Sequence, residues 1–548
     1  MVPVLILISA MERTQLLVLV ITLYLFGVLL TVLYSMVQKA RSLRFLQGPP
    51  SPSFVLGHEF ALSHQVQACE LETEWTREYG AALRLAGCFR EDILLIVDPQ
   101  ALHHILHVSG YRYRKPTYYQ LGNKRLFGRG IVWAEGAVHQ RHRKILNPAF
   151  STSHLKQFTP LFERLTRHFI EKWDEELGSE DSKVFDVSKW FPRVTLDVIG
   201  ESAFNFKFGA LDDATNELST ALKNIFIDSR ARTPTDILFQ SWRLSVPVTV
   251  ARYLRLQTSE DRRFATYLNT AKRYAKAVLE EGNNGDSSAS GKDVLSVLAR
   301  SNAEEDPKRR LDDDEFLSQM STMILTGHET TAMTLTWLLY EFARHPEDQQ
   351  KVREEIATAR ARNEGRPLTS NDWDSMAHFS AAIKECFRLY PISPVLVREA
   401  TQDDVIPLLH PVLSPTGDSI AQIPVRKGQK IHVPIPAYNR LPSIFGEDAD
   451  EWNPSRFNNL KSKVSVGPYS NLLTFGAGPR ACIGWQFATM EIQTIAGSLL
   501  ETYEFSLPPG GLDVLRVPAG TISPMIRGQL EKGIQMPVLV SRRKTGHL

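Results

Sequence analysis

The chain has 548 residues, of which 43% are hydrophobic and 23% charged, with a formal net charge of +2. A chain of that length can bury a large core in one big domain or two smaller ones. Near-neutrality, with no basic stripe interleaved with aromatics, excludes a nucleic acid as partner. Four cysteines, Cys69, Cys88, Cys386 and Cys482, stand without a CxxC pair or a disulfide-framework spacing, which suits a reducing compartment. No Asn-x-Ser/Thr acceptor with a permissive middle residue occurs, which argues against a luminal catalytic domain.

Leu16 to Met36 is uncharged and rich in Leu and Val. At about 1.5 Å per residue such a helix spans roughly 30 Å, the thickness of a bilayer core, so residues 1–37 are predicted to be a membrane anchor. The alternative is a cleaved signal peptide, for which the run is long and no small-residue cleavage pattern follows. Lys39, Arg41 and Arg44 follow the run while Glu12 and Arg13 precede it, which places the C-terminal body on the cytoplasmic side, with the endoplasmic reticulum as the expected membrane. Residues 38–58, basic and then Gly48-Pro49-Pro50-Ser51-Pro52, predict a stiff hinge, with the body over 59–548.

Ala81–Ala86 and Asp92–Val97 read as short strands, Pro99 opens a helical stretch through His107, and helical patterns predominate from Pro148 onward. Leu238 to Leu256 is an apolar segment that fits a lipophilic ligand. Glu281 to Gly291 is polar and glycine-rich, the composition of a surface loop. Phe316 to Phe342 predicts a long, largely buried helix interrupted by Thr326-Gly327-His328-Glu329-Thr330-Thr331. A mid-helix glycine costs about 1 kcal/mol relative to alanine, and successive threonines can bond back to the preceding turn. Such a segment is either a kinked core helix or one opened for function. Glu385 and Arg388, three apart, share a helix face as an ion pair. Phe475-Gly476-Ala477-Gly478-Pro479-Arg480-Ala481-Cys482-Ile483-Gly484 sets one cysteine in a loop of small residues before a helix, where the helix N-terminus favours a thiolate that can ligate a haem iron. The plainer reading of a lone cysteine is a small buried hydrophobe.

The spacing of Phe475, Gly478, Arg480, Cys482 and Gly484 resembles the haem-binding signature of the cytochrome P450 family. The resemblance extends over the chain. Gly327, Glu329, Thr330 and Thr331 match that family's oxygen-binding motif, with Thr326 in place of its Ala or Gly. Trp452-Asn-Pro-Ser-Arg-Phe457 is similar to its Pro-Glu-Arg-Phe segment, with Ser455 replacing the glutamate. Gly136 to Phe150 looks like its C-helix region, with His139 where a tryptophan is usual. The implied fold is mainly α with a smaller β region. The implied cofactor is haem b, its iron ligated by the Cys482 thiolate, with Arg480, Arg143, His139 and Arg398 toward the haem carboxylates and Phe475 and Gly478 shaping the loop. Glu329 and Thr330 are then the catalytic pair, Glu329 relaying protons and Thr330 hydrogen-bonding dioxygen, for which Gly327 makes room. Glu385, Arg388 and Arg456 form a structural triad.

The implied activity is insertion of one oxygen atom from O2 into a lipophilic small molecule. The layout resembles fungal microsomal members, which makes a terpenoid or other secondary metabolite the leading substrate, ahead of fatty acids and xenobiotics. Only Ile483 to Leu548 follow the loop, too little for a flavin or nicotinamide segment. Electrons are therefore expected from an NADPH-cytochrome P450 reductase docking on a basic face near the loop, with cytochrome b5 as a second donor. The rival readings are a same-fold isomerase or dehydratase that needs no reductase, and a non-catalytic haem-binding or membrane-interaction protein.

Overall fold

The computed structural model describes residues 41–543, apart from 224, 226–232, 246–252, 254–257, 285–292, 307–308, 459 and 461–462, together with 18–20, 22–24 and 26–27. The expected anchor therefore lies largely outside the described residues. Those described within it are helical, with Val18, Leu23, Tyr24 and Phe26 exposed. Among the described residues no helix is long and apolar enough to cross a membrane. Most of the 281–291 segment and the end of the 238–256 segment likewise fall outside.

The main sheet is built from β1 (Ala82–Ala86), β2 (Asp92–Ile96), β3 (Tyr113–Arg114), β4 (Val395–Ala400) and β5 (Lys430–Pro434), in the order β1-β2-β5-β4-β3. β1 and β2 pair antiparallel with Ala82 opposite Ile96, and β2 runs parallel to β5. Leu94, Leu95 and Ile96 are fully buried, as expected of a strand covered on both faces. A second hairpin, β6 (Val514–Ala519) and β7 (Thr521–Ile526), returns late in the chain to the central helix.

The helices that position the site are α1 (Thr117–Phe127), α2 (Gly136–Leu146), α3 (Val187–Phe204), α4 (Ser259–Asn284), α5 (Asp313–Arg344), α6 (Ala377–Leu389) and α7 (Trp485–Thr502). α4 continues through Glu281 to Asn284, so the polar segment begins as helix. α5 is the central element. Asp312 and Glu315 form a reciprocal capping box at its start, and Pro346 follows its end. Between Ser318 and Ala343 every residue of α5 is buried except Thr326, Gly327, Glu329 and Thr330. That interruption marks where the core opens.

The predicted hinge is a correction. Leu43 and Leu46 are fully buried, the Leu43 N–H donates to Asp92 Oδ2 at 2.9 Å, and the Arg84 N–H donates to the Gln47 carbonyl at 2.8 Å. A Cβ on Gly48 would lie 2.0 Å from the Arg84 carbonyl oxygen. Residues 41–58 thus dock onto β1 and β2 instead of spacing the body from what precedes it; the apolar Leu43 and Leu46 outweigh the prolines.

Candidate active site

The cysteine loop turns twice before α7. Gly476 and Gly478 hold φ of +66° and +64°, a region that favours glycine. Gly478 is doubly constrained, because a Cβ there would lie 1.9 Å from the Leu106 carbonyl oxygen. The Cys482 N–H closes the loop onto the Phe475 carbonyl at 2.8 Å, and the Phe475 ring meets Phe387 edge-on at 4.8 Å. Cys482 is exposed by area and yet enclosed by protein, so it borders internal open space. Burial pushes its thiol pKa up, while the Gly484 N–H and the Arg143 guanidinium favour the thiolate.

Around this loop the chain gathers cations. Arg480 donates to the Ala134 carbonyl at 3.1 Å, pairs with Glu135 and lies over the Tyr111 ring, 4.9 Å from its centroid. Its Nε is buried and has no partner among the described residues. Arg398, on β4, is 7% exposed and donates to the neighbouring Val397 carbonyl at 2.9 Å. Burial, then the Arg480 charge, lowers its pKa to about 10. Arg143, on α2, donates to the Ala481 carbonyl at 2.6 Å and to Asn147 Oδ1 at 3.0 Å.

His139, one turn before Arg143, is buried, and burial with the nearby Arg480 and Lys115 charges pushes its pKa down to about 3. It is therefore neutral. The Tyr111 hydroxyl, 2.7 Å from Nδ1, is taken as donor to that nitrogen, which leaves the Nε2–H available. Lys115, which no sequence motif points to, completes the group. Its ammonium donates to the Val132 carbonyl and lies 3.5 Å from Glu135, and burial then the Arg480 charge lower its pKa to about 8. Lys115, Arg398 and Arg480 thus gather around the Glu135 carboxylate, with Arg143 close by at Tyr111 and the cysteine loop. Lys115, Glu135 and Tyr111 are united by tertiary folding and carry no local spacing signal.

On α5, the Thr326 hydroxyl donates to the Thr322 carbonyl at 2.8 Å, and the Thr330 hydroxyl to the Thr326 carbonyl at 2.6 Å. Glu329 is half-buried by area but enclosed by protein. Burial raises its carboxyl pKa to about 7, with the Thr521 hydroxyl, 3.5 Å away at the start of β7, opposing this. Gly327 has a different explanation from the one expected: a Cβ there would lie 2.7 Å from Ile199 Cδ1, so the room left by the missing side chain is taken by α3.

The structure also brings Glu385, Arg388 and Arg456 together. Arg388 grips Glu385 with two bonds of 2.7 Å, both side chains fully buried, and donates to the Asn439 and Glu451 carbonyls at 3.1 and 2.9 Å. Arg456 reaches Glu385 at 3.0 Å and Asp448 at 2.8 Å. Ser455 is exposed, and Asp448 supplies the carboxylate beside Arg456 that the sequence left unidentified. The Arg456 guanidinium holds the Asp448 carboxyl down at about 2.

These residues fit a haem. A thiol bordering enclosed space, a glycine where no Cβ has room, an unpartnered buried guanidinium nitrogen and an excess of cations suit a dianionic, flat, thiolate-ligated group. Fold and site together suit a haem-binding protein. A family model for cytochrome P450 matches residues 47–520, and the chain belongs to that family, whose members carry haem. Cytochrome P450 monooxygenase 128 of Postia placenta is 30% identical over 91% of this chain and 93% of its own length. Cytochrome P450 monooxygenase claU of Ampulloclitocybe clavipes is 30% identical over 91% and 92%. The expected monooxygenase class and the fungal resemblance agree with these relatives.

Proposed function

We propose that the chain is a reductase-dependent monooxygenase of a lipophilic small molecule, with a terpenoid or other secondary metabolite as the leading substrate class. The observation that carries this reading is the Glu329–Thr330 pair on the open stretch of α5, an acid and an alcohol that a same-fold isomerase could dispense with. When bound, the haem supplies dioxygen activation, which thiolate ligation favours. Glu329 holds a proton up to about pH 7, with the Thr521 hydroxyl beside it. The Thr330 hydroxyl, its proton given to the Thr326 carbonyl, can accept a hydrogen bond from a water and so hold that water in place beside the helix. Lys115, Arg143, Arg398 and Arg480, with the His139 Nε2–H, would hold the carboxylates and fix the ring plane; Glu385, Arg388 and Arg456 would lock the core beneath it.

An N-terminal anchor over 1–37 in the endoplasmic reticulum, with the body on the cytoplasmic side, belongs to the same proposal and rests on the uncharged run and the flanking charges. So does a separate NADPH-dependent reductase. The test is turnover with reductase, NADPH and a set of terpenes and fatty acids. Oxygenated terpene formed only with NADPH and O2 is the expected result. Product formed without either would favour the isomerase, and oxidation of fatty acids alone would remove the terpenoid assignment. Cys482→Ala should abolish the thiolate-type Soret shift of the reduced carbon monoxide complex, and an unchanged spectrum would refute the ligand.

A further inference from the structure

A cleft of about 700 Å³ lies between the helix Glu70–Tyr79, the C-terminal end of α5 and strand β6, and it shares no lining residue with the site around Cys482. Its size is that of a small-molecule site. The carboxylates that line it are either paired or exposed. Glu341, fully buried, accepts from Arg344 Nη1 on both oxygens, at 3.2 and 3.1 Å, and from the Tyr390 hydroxyl. Asp450 is exposed and pairs with Arg77, while Glu70, Glu74 and Glu451 are exposed.

Two guanidiniums in the same lining have no carboxylate of their own. Arg440 is 4% exposed and donates to the Pro436 and Leu389 carbonyls at 3.3 and 2.6 Å; among the described residues the one carboxylate within 4 Å is Asp450, at 3.6 Å, which Arg77 already holds. Arg516 is fixed by Gln67, whose Oε1 accepts from its backbone N–H at 2.9 Å and from its Nε at 3.3 Å. Its Nη1 and Nη2 have no partner among the described residues. The two cations also work against each other: burial, then the Arg516 and Arg388 charges, push the Arg440 pKa down. Two guanidiniums at one cleft, sharing a single exposed counter-charge, gain from an anion that bridges them.

We infer that Arg440 and Arg516 form a binding site for a small oxyanion, a phosphate or carboxylate group, gripped by the free fork of Arg516 and neutralising Arg440 behind it. A planar guanidinium matches two oxygens of such a group, which a halide cannot offer. Trp452 and Leu389, in the same lining, add apolar surface for the body that carries the oxyanion. The site is independent of the reaction proposed above.

The test is calorimetric titration of the purified full-length holoprotein with inorganic phosphate, glycerol 3-phosphate and succinate, at constant ionic strength set with chloride. At least one of the three should bind with a Kd of about 1 mM or tighter, and which of them does so tells a phosphate from a carboxylate ligand. Arg516→Gln should weaken that binding about tenfold or more, the scale of a charge-assisted hydrogen bond. Asp450→Asn, which removes the competing carboxylate at an exposed position, should tighten it. The Soret band and the ligand-free melting temperature check that each variant is folded. No binding by any of the three up to about 10 mM, or an affinity that Arg516→Gln leaves unchanged, overturns the site. Should Arg516→Gln fail to fold, the decision falls to Asp450→Asn, where an unchanged or weaker affinity overturns it.

Discussion

Among the described residues Glu329 has no cation beside it, and the Thr521 hydroxyl lies 3.5 Å from its carboxylate. Burial therefore decides its charge, raising the carboxyl from its ordinary 4.5 to about 7. The folded protein holds a proton that the unfolded chain releases between those values. The stabilisation from that neutral acid is complete below pH about 4.5, declines through the interval and is gone above pH about 7. Product formation should fall in the same direction, as pH rises through about 7, if this proton is used. Glu329→Gln keeps the size and loses the proton. Its turnover should drop about 10²-fold and its pH profile lose the limb near 7, with the Soret band unchanged. A limb that persists in the variant would assign it to another group. Cys482, Glu329 and Thr330 were legible in the sequence because each sits in a short run of fixed spacing. Lys115 and Asp448 were not, since each acquires its partner through folding: Glu135 lies twenty residues from Lys115, and Asp448 meets Arg456 only where the chain bends back.

At the scale of elements, the length of α5 was readable from composition, whereas the purpose of its glycine depended on a neighbour. The predicted 316–342 falls inside the observed Asp313–Arg344, extended at its start by the capping box. That Ile199 of α3 occupies the space over Gly327 could be seen only once the two helices were packed together. Gly327→Ala gains up to about 1 kcal/mol of helix propensity but forces a Cβ to 2.7 Å from Ile199 Cδ1. Overpacking of this kind costs about 1–3 kcal/mol, so the net expectation is a loss of about 1 kcal/mol by denaturant melting. Removing the offending methyl with Ile199→Val in the Gly327→Ala background should recover most of that loss, although Ile199→Val alone destabilises by about 1 kcal/mol. Strictly additive losses in the double variant would show that the two helices do not meet there. The strands teach the same point in reverse: β1 and β2 match the sequence expectation within a residue because short apolar runs between turn residues need no partner to be recognised.

For the whole molecule, the question is where the folded body begins. The proline cluster looked like a boundary because proline resists helix and central strand, but Leu43 and Leu46, ahead of it, are as buried as the central strand. Proline constrains the local backbone; it says nothing about whether neighbouring leucines find a core. The residues described within 1–40 are exposed, so deletion of 1–40 should leave the haem spectrum intact and a melting point within a degree or two of the full chain. Deleting 1–50 also strips both leucines, the Leu43 hydrogen bond to Asp92 and the Gln47 carbonyl that pairs with Arg84. At about 2–5 kcal/mol for each lost buried leucine, and with Asp92 losing a donor in a buried site, that chain should lose several kcal/mol and release haem on mild warming. The two deletions differ by ten residues, so equal melting by calorimetry or haem absorbance would show that the segment spaces the body and does not belong to it. A difference of the expected size would place the start of the folded body ahead of the prolines, with the five-stranded sheet held at its outer edge by residues that precede the family-matched region at 47.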